Sequence, residues 1–471
     1  METIISSTNF SNVEAQELVD RQRRYFMTNV TKKLDFRRRQ LQRLRDLIEQ
    51  YEDDIMQAVF TDLHKHEFEA YAAEVSFVRK DLDKAIANLG KWAHPVNVGT
   101  PLFHFKASSY IQSEPYGSVL VIAPWNYPFQ LLFAPIVGAI AAGNTVIAKP
   151  SELAPATSKI CAKIINEHFE PQYLHIVEGA VAETQALLEQ KFDYIFFTGS
   201  TNVGKIIYQA AARHLTPVTL ELGGKSPCII DYDTHLKYTA KRLVWGKFAN
   251  AGQTCIAPDY LLVDRRIKAQ LVEKIKSYIT HFYGENPQDS SSYGRIINEQ
   301  HLQRLASYLS GGNIVHGGHV DVKDKFIAPT VLDNVDLNSP LMQEEIFGPL
   351  LPIVEYDDLR EAIDFIKQRP KPLALYMFSK DGQKIQRVLQ ETSAGGVTIN
   401  DTLMHIANSE LPFGGVGNSG IGAYHGKHSF DLFSHKKAVL HRSFLIEESI
   451  RYAPYGKVSR KWLKRLMDWT L

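Results

Sequence analysis

Tyr194-Ile195-Phe196-Phe197-Thr198-Gly199-Ser200-Thr201-Asn202-Val203-Gly204 is the stretch whose reading decides the fold. Its four leading residues are bulky and apolar without polar alternation, the pattern of a strand buried on both faces. Threonine, glycine and serine then break the strand, and a helical stretch over 203–212 follows. A glycine turn that opens a helix lets backbone amides and the positive end of the helix dipole face a phosphate. The spacing of Gly199, Ser200, Val203 and Gly204 departs from Gly-x-Gly-x-x-Gly, so a plain tight connection is the competing reading. Context has to decide between them.

Working outward, the same alternation recurs. Apolar or β-branched runs stand at 118–122, 145–148, 173–177, 194–197 and 218–220, with helical stretches at 130–142, 156–169, 180–190 and 203–212 between them. The fold class is therefore α/β, a parallel sheet covered on both faces. Ligands of such sheets bind at the carboxyl ends of strands. Those ends carry Pro124-Trp125-Asn126, Lys149-Pro150-Ser151-Glu152 and Thr198-Gly199-Ser200. Lys149 and Glu152 could hold the hydroxyls of a ribose, against the alternative of a surface ion pair worth little. A second half begins near Glu221, with strands expected at 227–230, 260–263, 351–354 and 396–399. Upstream, 13–62 is helical in character, with Leu41, Leu44, Ile48, Tyr51 and Ile55 on one face. Arg37-Arg38-Arg39 within it reads as a solvated helix face. A second helical region spans 68–92, and Pro95, Gly99 and Pro101 mark a crossover into another unit.

The 471 residues suggest two or three domains at roughly 150 residues each. Lys and Arg number 53 against 52 Asp and Glu, so the net charge of +1 argues against a nucleic-acid partner. Cys161, Cys228 and Cys255 are far apart, no Cys-x-x-Cys spacing suggests a metal, and a reducing, cytoplasmic compartment is expected. Residues 1–12 lack the order of a signal peptide. The apolar run 131–142 is interrupted by Pro135 and Gly138 and is too short to cross a bilayer, so it reads as a buried helix.

Asn250-Ala251-Gly252-Gln253-Thr254-Cys255 places a thiol on a short loop, downstream of a carboxylate in Leu220-Glu221-Leu222-Gly223-Gly224-Lys225. A lone cysteine is more often a small buried hydrophobe than a nucleophile. Combined with a water-activating carboxylate and a dinucleotide, however, it suits oxidation of an aldehyde through a thioester. The tetrahedral adduct needs oxyanion donors, for which the amide of Asn126 and the backbone N–H of Cys255 are candidates. Glu221 is then the base that activates water. Singly, Asn126 is equally a turn residue and Glu221 equally a structural carboxylate.

Pro124-Trp125-Asn126-Tyr127-Pro128, Lys149-Pro150-Ser151-Glu152, Phe197-Thr198-Gly199-Ser200, Leu220-Glu221-Leu222-Gly223-Gly224-Lys225, Gly252-Gln253-Thr254-Cys255, Glu344-Glu345-Ile346-Phe347-Gly348-Pro349 and Pro412-Phe413-Gly414-Gly415 resemble the ordered motifs of the NAD(P)-dependent aldehyde dehydrogenases. The stretches 282–287 and 417–430 look like the class 3 branch, which includes fatty and aromatic aldehyde dehydrogenases. The resemblance covers about residues 13–455. It implies Cys255 as nucleophile, Glu221 as deacylation base and Asn126 as oxyanion donor. It implies a coenzyme set of Trp125, Lys149, Glu152, Gly199, Ser200, Val203, Gly204, Leu222, Gly223, Glu345 and Phe347, and no metal. The implied fold is aldehyde dehydrogenase-like: a Rossmann-type coenzyme domain (1–95 and 116–220), an α/β catalytic domain (221–419), and a small bridging and oligomerisation unit (96–115 and 420–446). Class 3 relatives are typically homodimers. Glu152 would repel a 2′-phosphate, which favours NAD, although class 3 enzymes often accept NADP as well.

Two departures concern the end of the chain. Arg451-Tyr452-Ala453-Pro454-Tyr455 has alanine where the branch often has a second proline, and no long apolar anchor follows. Residues 447–471 instead form a basic amphipathic tail, with Val458, Trp462, Leu466 and Trp469 at helical spacing. It either packs on its own protein, rimming a funnel for apolar aldehydes, or makes a peripheral membrane contact. Competing functions are a CoA-acylating or reductive aldehyde dehydrogenase, against which Glu221 argues, and non-enzymatic use of the scaffold.

Overall fold

The five apolar runs of the first half assemble into one parallel sheet, ordered Val218–Glu221, Tyr194–Thr198, Ser118–Ile122, Thr145–Lys149, Leu174–Ile176. This computed structural model describes residues 10–101, 104, 106–447, 452–454 and 460–470. Every residue of Ser118–Ile122, Thr145–Lys149 and Tyr194–Thr198 is buried, as their unbroken apolar character requires. From Ser118–Ile122 the chain builds toward one edge and then crosses back to build toward the other. The loops after Ser118–Ile122 and Tyr194–Thr198 therefore flank the switch point, where open α/β sheets bind ligands. The short strand Gly420–Ile421 closes the far edge, antiparallel to Val218–Glu221.

The second half forms a seven-stranded sheet, ordered Asn313–His316, Thr330–Asp333, Leu350–Tyr356, Tyr260–Asp264, Pro227–Ile230, Ala374–Phe378, Gly396–Ile399. Only Asn313–His316 runs antiparallel to its neighbour. The strand Ala374–Phe378 is absent from the sequence reading, although all five of its residues are buried. A third sheet pairs Ala107–Pro115 with Val96–Val98 and with Ser434–Arg442, joining the two segments expected to form the bridging unit.

The helical region 13–62 divides into Asn12–Met27, Leu34–Gln50 and Glu52–Leu63. Asn29, with φ of 61°, turns the chain between the first two. Leu41, Leu44, Ile48 and Ile55 are fully buried as expected, each stabilising by about 1.5–3 kcal/mol, while Tyr51 is only half-buried. Arg38 and Arg39 lie on an exposed face, but Arg37 does not. Its buried guanidinium donates to the carbonyls of Thr31, Lys32 and Ala141 at 3.0, 2.9 and 3.2 Å. A cation there complements the C-terminus of helix Gln130–Ala142, which sequence spacing alone could not reveal. All thirteen residues of Gln130–Ala142 are buried. The second helical region contains a π-helical turn, Tyr71–Val75, ahead of helix Ser76–Ala93. Among the described residues no helix is long and apolar enough to cross a membrane.

Candidate active site

A cavity of about 1480 Å3 lies between the two large sheets. Asn126, Glu221 and Cys255, drawn from three distant segments, all line it.

The loop carrying Cys255 has an unusual backbone. Helix Leu236–Phe248 ends, and Asn250, Ala251 and Gly252 follow with φ of 51°, 51° and 74°. Left-handed non-glycine residues cost roughly 1–2 kcal/mol each, so the surroundings must compensate. Asn250 Nδ2 donates to the carbonyls of Asn126 and Gln253 at 2.8 and 3.2 Å. Gln253 Nε2 donates to the carbonyls of Asn250 and Arg295, and Gln253 Oε1 accepts from the N–H of Ile297 at 3.0 Å. A Cβ on Gly252 would collide with the carbonyl of Gly348, so this position needs glycine on two counts. The turn is thereby locked and presents Cys255 to the cavity.

Asn126 follows strand Ser118–Ile122 and is almost wholly buried. Its Nδ2 donates to Gln253 O at 3.1 Å, reaching across to the cysteine loop. The hydroxyl of Tyr127 pairs with Thr254 Oγ1 at 2.8 Å.

Glu221 ends strand Val218–Glu221, only 3% exposed, and neither carboxyl oxygen has a hydrogen-bond partner. Burial alone pushes this carboxyl well above its ordinary value. Burial also raises the Cys255 thiol, and the carboxylates of Glu345 and Glu221 add to the rise. Tyr424 OH, likewise without a partner, feels the charge of both Glu221 and Cys255. A desolvated, unpaired carboxyl beside a thiol is a candidate general base.

Trp125, Thr198, Gly199, Ser200, Leu222, Gly223, Glu345 and Phe347 also line the cavity. Ser200 caps helix Thr201–Ala212, its hydroxyl accepting from Val203 N at 3.4 Å. Gly204 packs directly on Leu222, whose methyl would stand 2.6 Å from an added Cβ. Trp125 lies between His301 and Phe347, with ring centroids 5.1 and 5.3 Å away. Lys149 and Glu152 form an ion pair at 2.9 Å, yet neither they nor Val203 and Gly204 border the cavity itself.

The segment bearing Glu345 is held from two sides. The buried ammonium of Lys225 bonds Asp259 and the carbonyls of Leu341 and Glu344, while Asp259 accepts from Ile346 N at 2.9 Å. Arg304 donates to the carbonyls of Glu345 and Ile346 at 3.3 and 2.9 Å. Burial and the nearby Asp259 push the Glu345 carboxyl up to about 8. Thr198 Oγ1 and Glu345 Oε1 are shut away from solvent without partners. With the capped helix terminus beside them, these orphaned atoms fit a ligand rich in hydroxyl and phosphate groups.

The pattern of the Aldehyde dehydrogenase family matches residues 1–439. The chain belongs to that family. The 4,4'-diaponeurosporen-aldehyde dehydrogenase of Staphylococcus aureus (strain NCTC 8325 / PS 47) is 51% identical over 455 residues, 96% of this chain and 99% of the relative. The dimeric NADP-preferring aldehyde dehydrogenase of Canis lupus familiaris is 48% identical over 440 residues, 93% and 97% of the two chains. A solved structure described as the substrate bound state of Staphylococcus aureus AldH superposes with a TM-score of 0.93 at 50% identity, covering 96% and 98%.

The enzyme is thus an oxidoreductase that converts aldehydes with NAD(P), on the α/β scaffold expected of its family. The supports around the aldehyde dehydrogenase site include Lys225, Arg304 and Tyr424, which no motif marks as site residues. Lys225 follows Gly223 and Gly224 directly, and a charge beside two glycines is a signal legible in sequence. Arg304 and Tyr424 carried none, because only folding brings them to the site.

Proposed function

We propose that the enzyme oxidises apolar aldehydes to carboxylic acids by covalent catalysis at Cys255. The observation that carries this reading is the single cavity shared by Cys255, Asn126 and a Glu221 whose carboxyl is buried and unpaired. Cys255 loses its proton to water and adds as the thiolate to the aldehyde carbon; the Asn126 amide with the backbone N–H of Cys255 receives the developing oxyanion, whose collapse with loss of hydride from that carbon leaves a thioester. NAD(P), when bound, supplies the hydride acceptor. Glu221 in its ionised form then takes a proton from water, which attacks the thioester and releases the acid. Thr198, Glu345 and the capped turn at Gly199 and Ser200 hold the coenzyme, Gly223 and Leu222 leave it room, and Trp125 and Phe347 frame its reactive end. Lys149 and Glu152 take the adenosine ribose, with Val203 and Gly204 supporting the pyrophosphate turn. The coenzyme domain is assigned to 1–95 and 116–220, the catalytic domain to 221–419, and the bridging unit to 96–115 with 420–446; of these, 1–9, 102, 103 and 105 lie outside the described residues.

The cavity is also lined by Phe68, Phe77, Trp245, Phe282, Met404 and Ile406, which suits an apolar chain. Glu152 favours NAD, whereas the canine relative is named as NADP-preferring. That relative's name also supports a homodimer. In the tail, Arg460–Thr470 is a helix with Trp462 and Leu463 exposed, while Val458 lies outside the described residues. This helix admits apolar substrate at the funnel or touches a membrane surface.

Initial rates of NADH and NADPH formation over aliphatic, aromatic and polyunsaturated aldehydes test the reading. Activity in Cys255→Ala equal to that of the parent would overturn it.

A further inference from the structure

Beneath Asn126 lies an ion pair with no exposure at all. Lys65 Nζ and Glu74 Oε1 are 2.6 Å apart, and both side chains are completely shielded from solvent. Removing two charges from water is unfavourable unless every remaining donor and acceptor finds a partner. Here the partners belong to the catalytic loops. Lys65 Nζ also donates to the backbone carbonyl of Asn126 at 3.1 Å and lies 4.0 Å from the centroid of the Tyr127 ring. Glu74 Oε2 accepts from the N–H groups of Phe129 and Gln130 at 3.1 and 2.9 Å. The pair therefore grips the chain on both sides of Tyr127-Pro128.

The backbone that delivers Glu74 is itself irregular. It lies in the π-helical turn Tyr71–Val75, a form that is rare and concentrates at functional sites. The carbonyl of Asn126 is shared by Lys65 from below and by Asn250 Nδ2 from the cysteine loop at 2.8 Å. Its side chain meets Gln253 O at 3.1 Å. One residue thus joins the helical layer, the coenzyme sheet and the nucleophile loop.

We infer that Lys65 and Glu74 are positioning residues, holding the Asn126 amide in register with Cys255 for oxyanion stabilisation. This rests on the oxyanion role proposed above for Asn126. Neither residue touches substrate. Each acts through the backbone of 126–130, where a small displacement of a donor is enough to lose much of its effect.

The test compares Asn126→Ala with the double variant Lys65→Met/Glu74→Gln in the full-length enzyme. The double variant replaces both charges of the pair with neutral side chains of similar size and leaves in place the buried carboxyl of Glu69, which Lys65 also attracts, and glutamine keeps a carbonyl for Phe129 and Gln130. Single variants would strand one buried charge and risk misfolding, so the neutral pair is the informative one. The measurements are melting temperature, NADH dissociation constant, kcat/KM for the aldehyde and the burst rate of NADH formation. The expected result is a melting temperature and NADH affinity close to the parent, with kcat/KM and burst rate lowered about tenfold or more. Asn126→Ala should lower them further. If Asn126→Ala is impaired while the double variant stays within twofold of the parent, the positioning role is wrong and the Asn126 assignment stands. If Asn126→Ala is itself within twofold, both fall. If the double variant loses NADH affinity or melting temperature in step with kcat/KM, the pair serves the fold alone, which also overturns the inference.

Discussion

The Glu345 carboxylate occupies the space where a Cβ on Gly223 would have to stand. One glycine hydrogen therefore separates the end of strand Val218–Glu221 from an acidic group of the second half of the chain. Gly223→Ala should push Glu345 aside and cost on the order of 1–3 kcal/mol in the geometry of that contact, hence about 5- to 150-fold in coenzyme affinity. NADH fluorescence titration checks this; an unchanged dissociation constant would remove Glu345 from the coenzyme site.

Glu221→Gln separates the two halves of the reaction. Glutamine cannot take a proton from water, so thioester formation should continue while its hydrolysis slows by about 100-fold or more. Intact-mass spectrometry after mixing with aldehyde and NAD should find one acyl group on Cys255. A fully turning-over variant with no acyl adduct would end the assignment of Glu221 as base.

The Cys255 thiol is held above its ordinary value, by burial first and then by the carboxylates of Glu345 and Glu221. Removing a neighbouring negative charge favours the thiolate. Glu345→Gln should therefore move the pH profile of iodoacetamide alkylation toward lower pH, with Cys255→Ala as the unlabelled control. A profile that stays put or moves upward contradicts the electrostatic contact.

Two histidines stacked on Phe413 are kept neutral by burial, His405 at about 4 and His425 at about 3. Both stand below the ordinary value of 6.5 expected once the chain unfolds. Their contribution to stability is complete above that value and is lost as pH falls from 6.5 toward the folded values. Urea unfolding between pH 7 and pH 4 should show falling stability, and His425→Asn, which tolerates the φ of 85°, should flatten part of that slope. An identical slope in the variant would mean that His425 does not titrate on unfolding.

Much of this enzyme was legible from residue order. Short unbroken apolar runs that end in turn residues, such as Tyr194–Thr198 before Gly199, read as central strands because every residue is buried on one face or the other, whereas the longer run Gln130–Ala142 is a buried helix. The motifs around Asn126, Glu221 and Cys255 were likewise legible, since strand ends and glycine turns are local matters. The polar strands Ala107–Pro115 and Ser434–Arg442 were not, because their pairing across the chain, and not their composition, makes them strands. Ala374–Phe378 escaped although the amphipathic helices Leu359–Lys367 and Gly382–Glu391 flank it, because a short apolar run does not by itself distinguish strand from buried helix.

What only tertiary structure decided is the electrical state and alignment of the site. Arg37 sits in a basic triplet that reads as solvent-facing, yet it is buried against the end of helix Gln130–Ala142. Lys65 and Glu74 are two ordinary charges in sequence, and they become a buried pair holding Asn126 only because three layers meet there. The identity of a side chain determines which chemistry it can perform. Burial and neighbours determine its proton and its direction, because desolvation and hydrogen bonding act through space and have no fixed spacing along the chain.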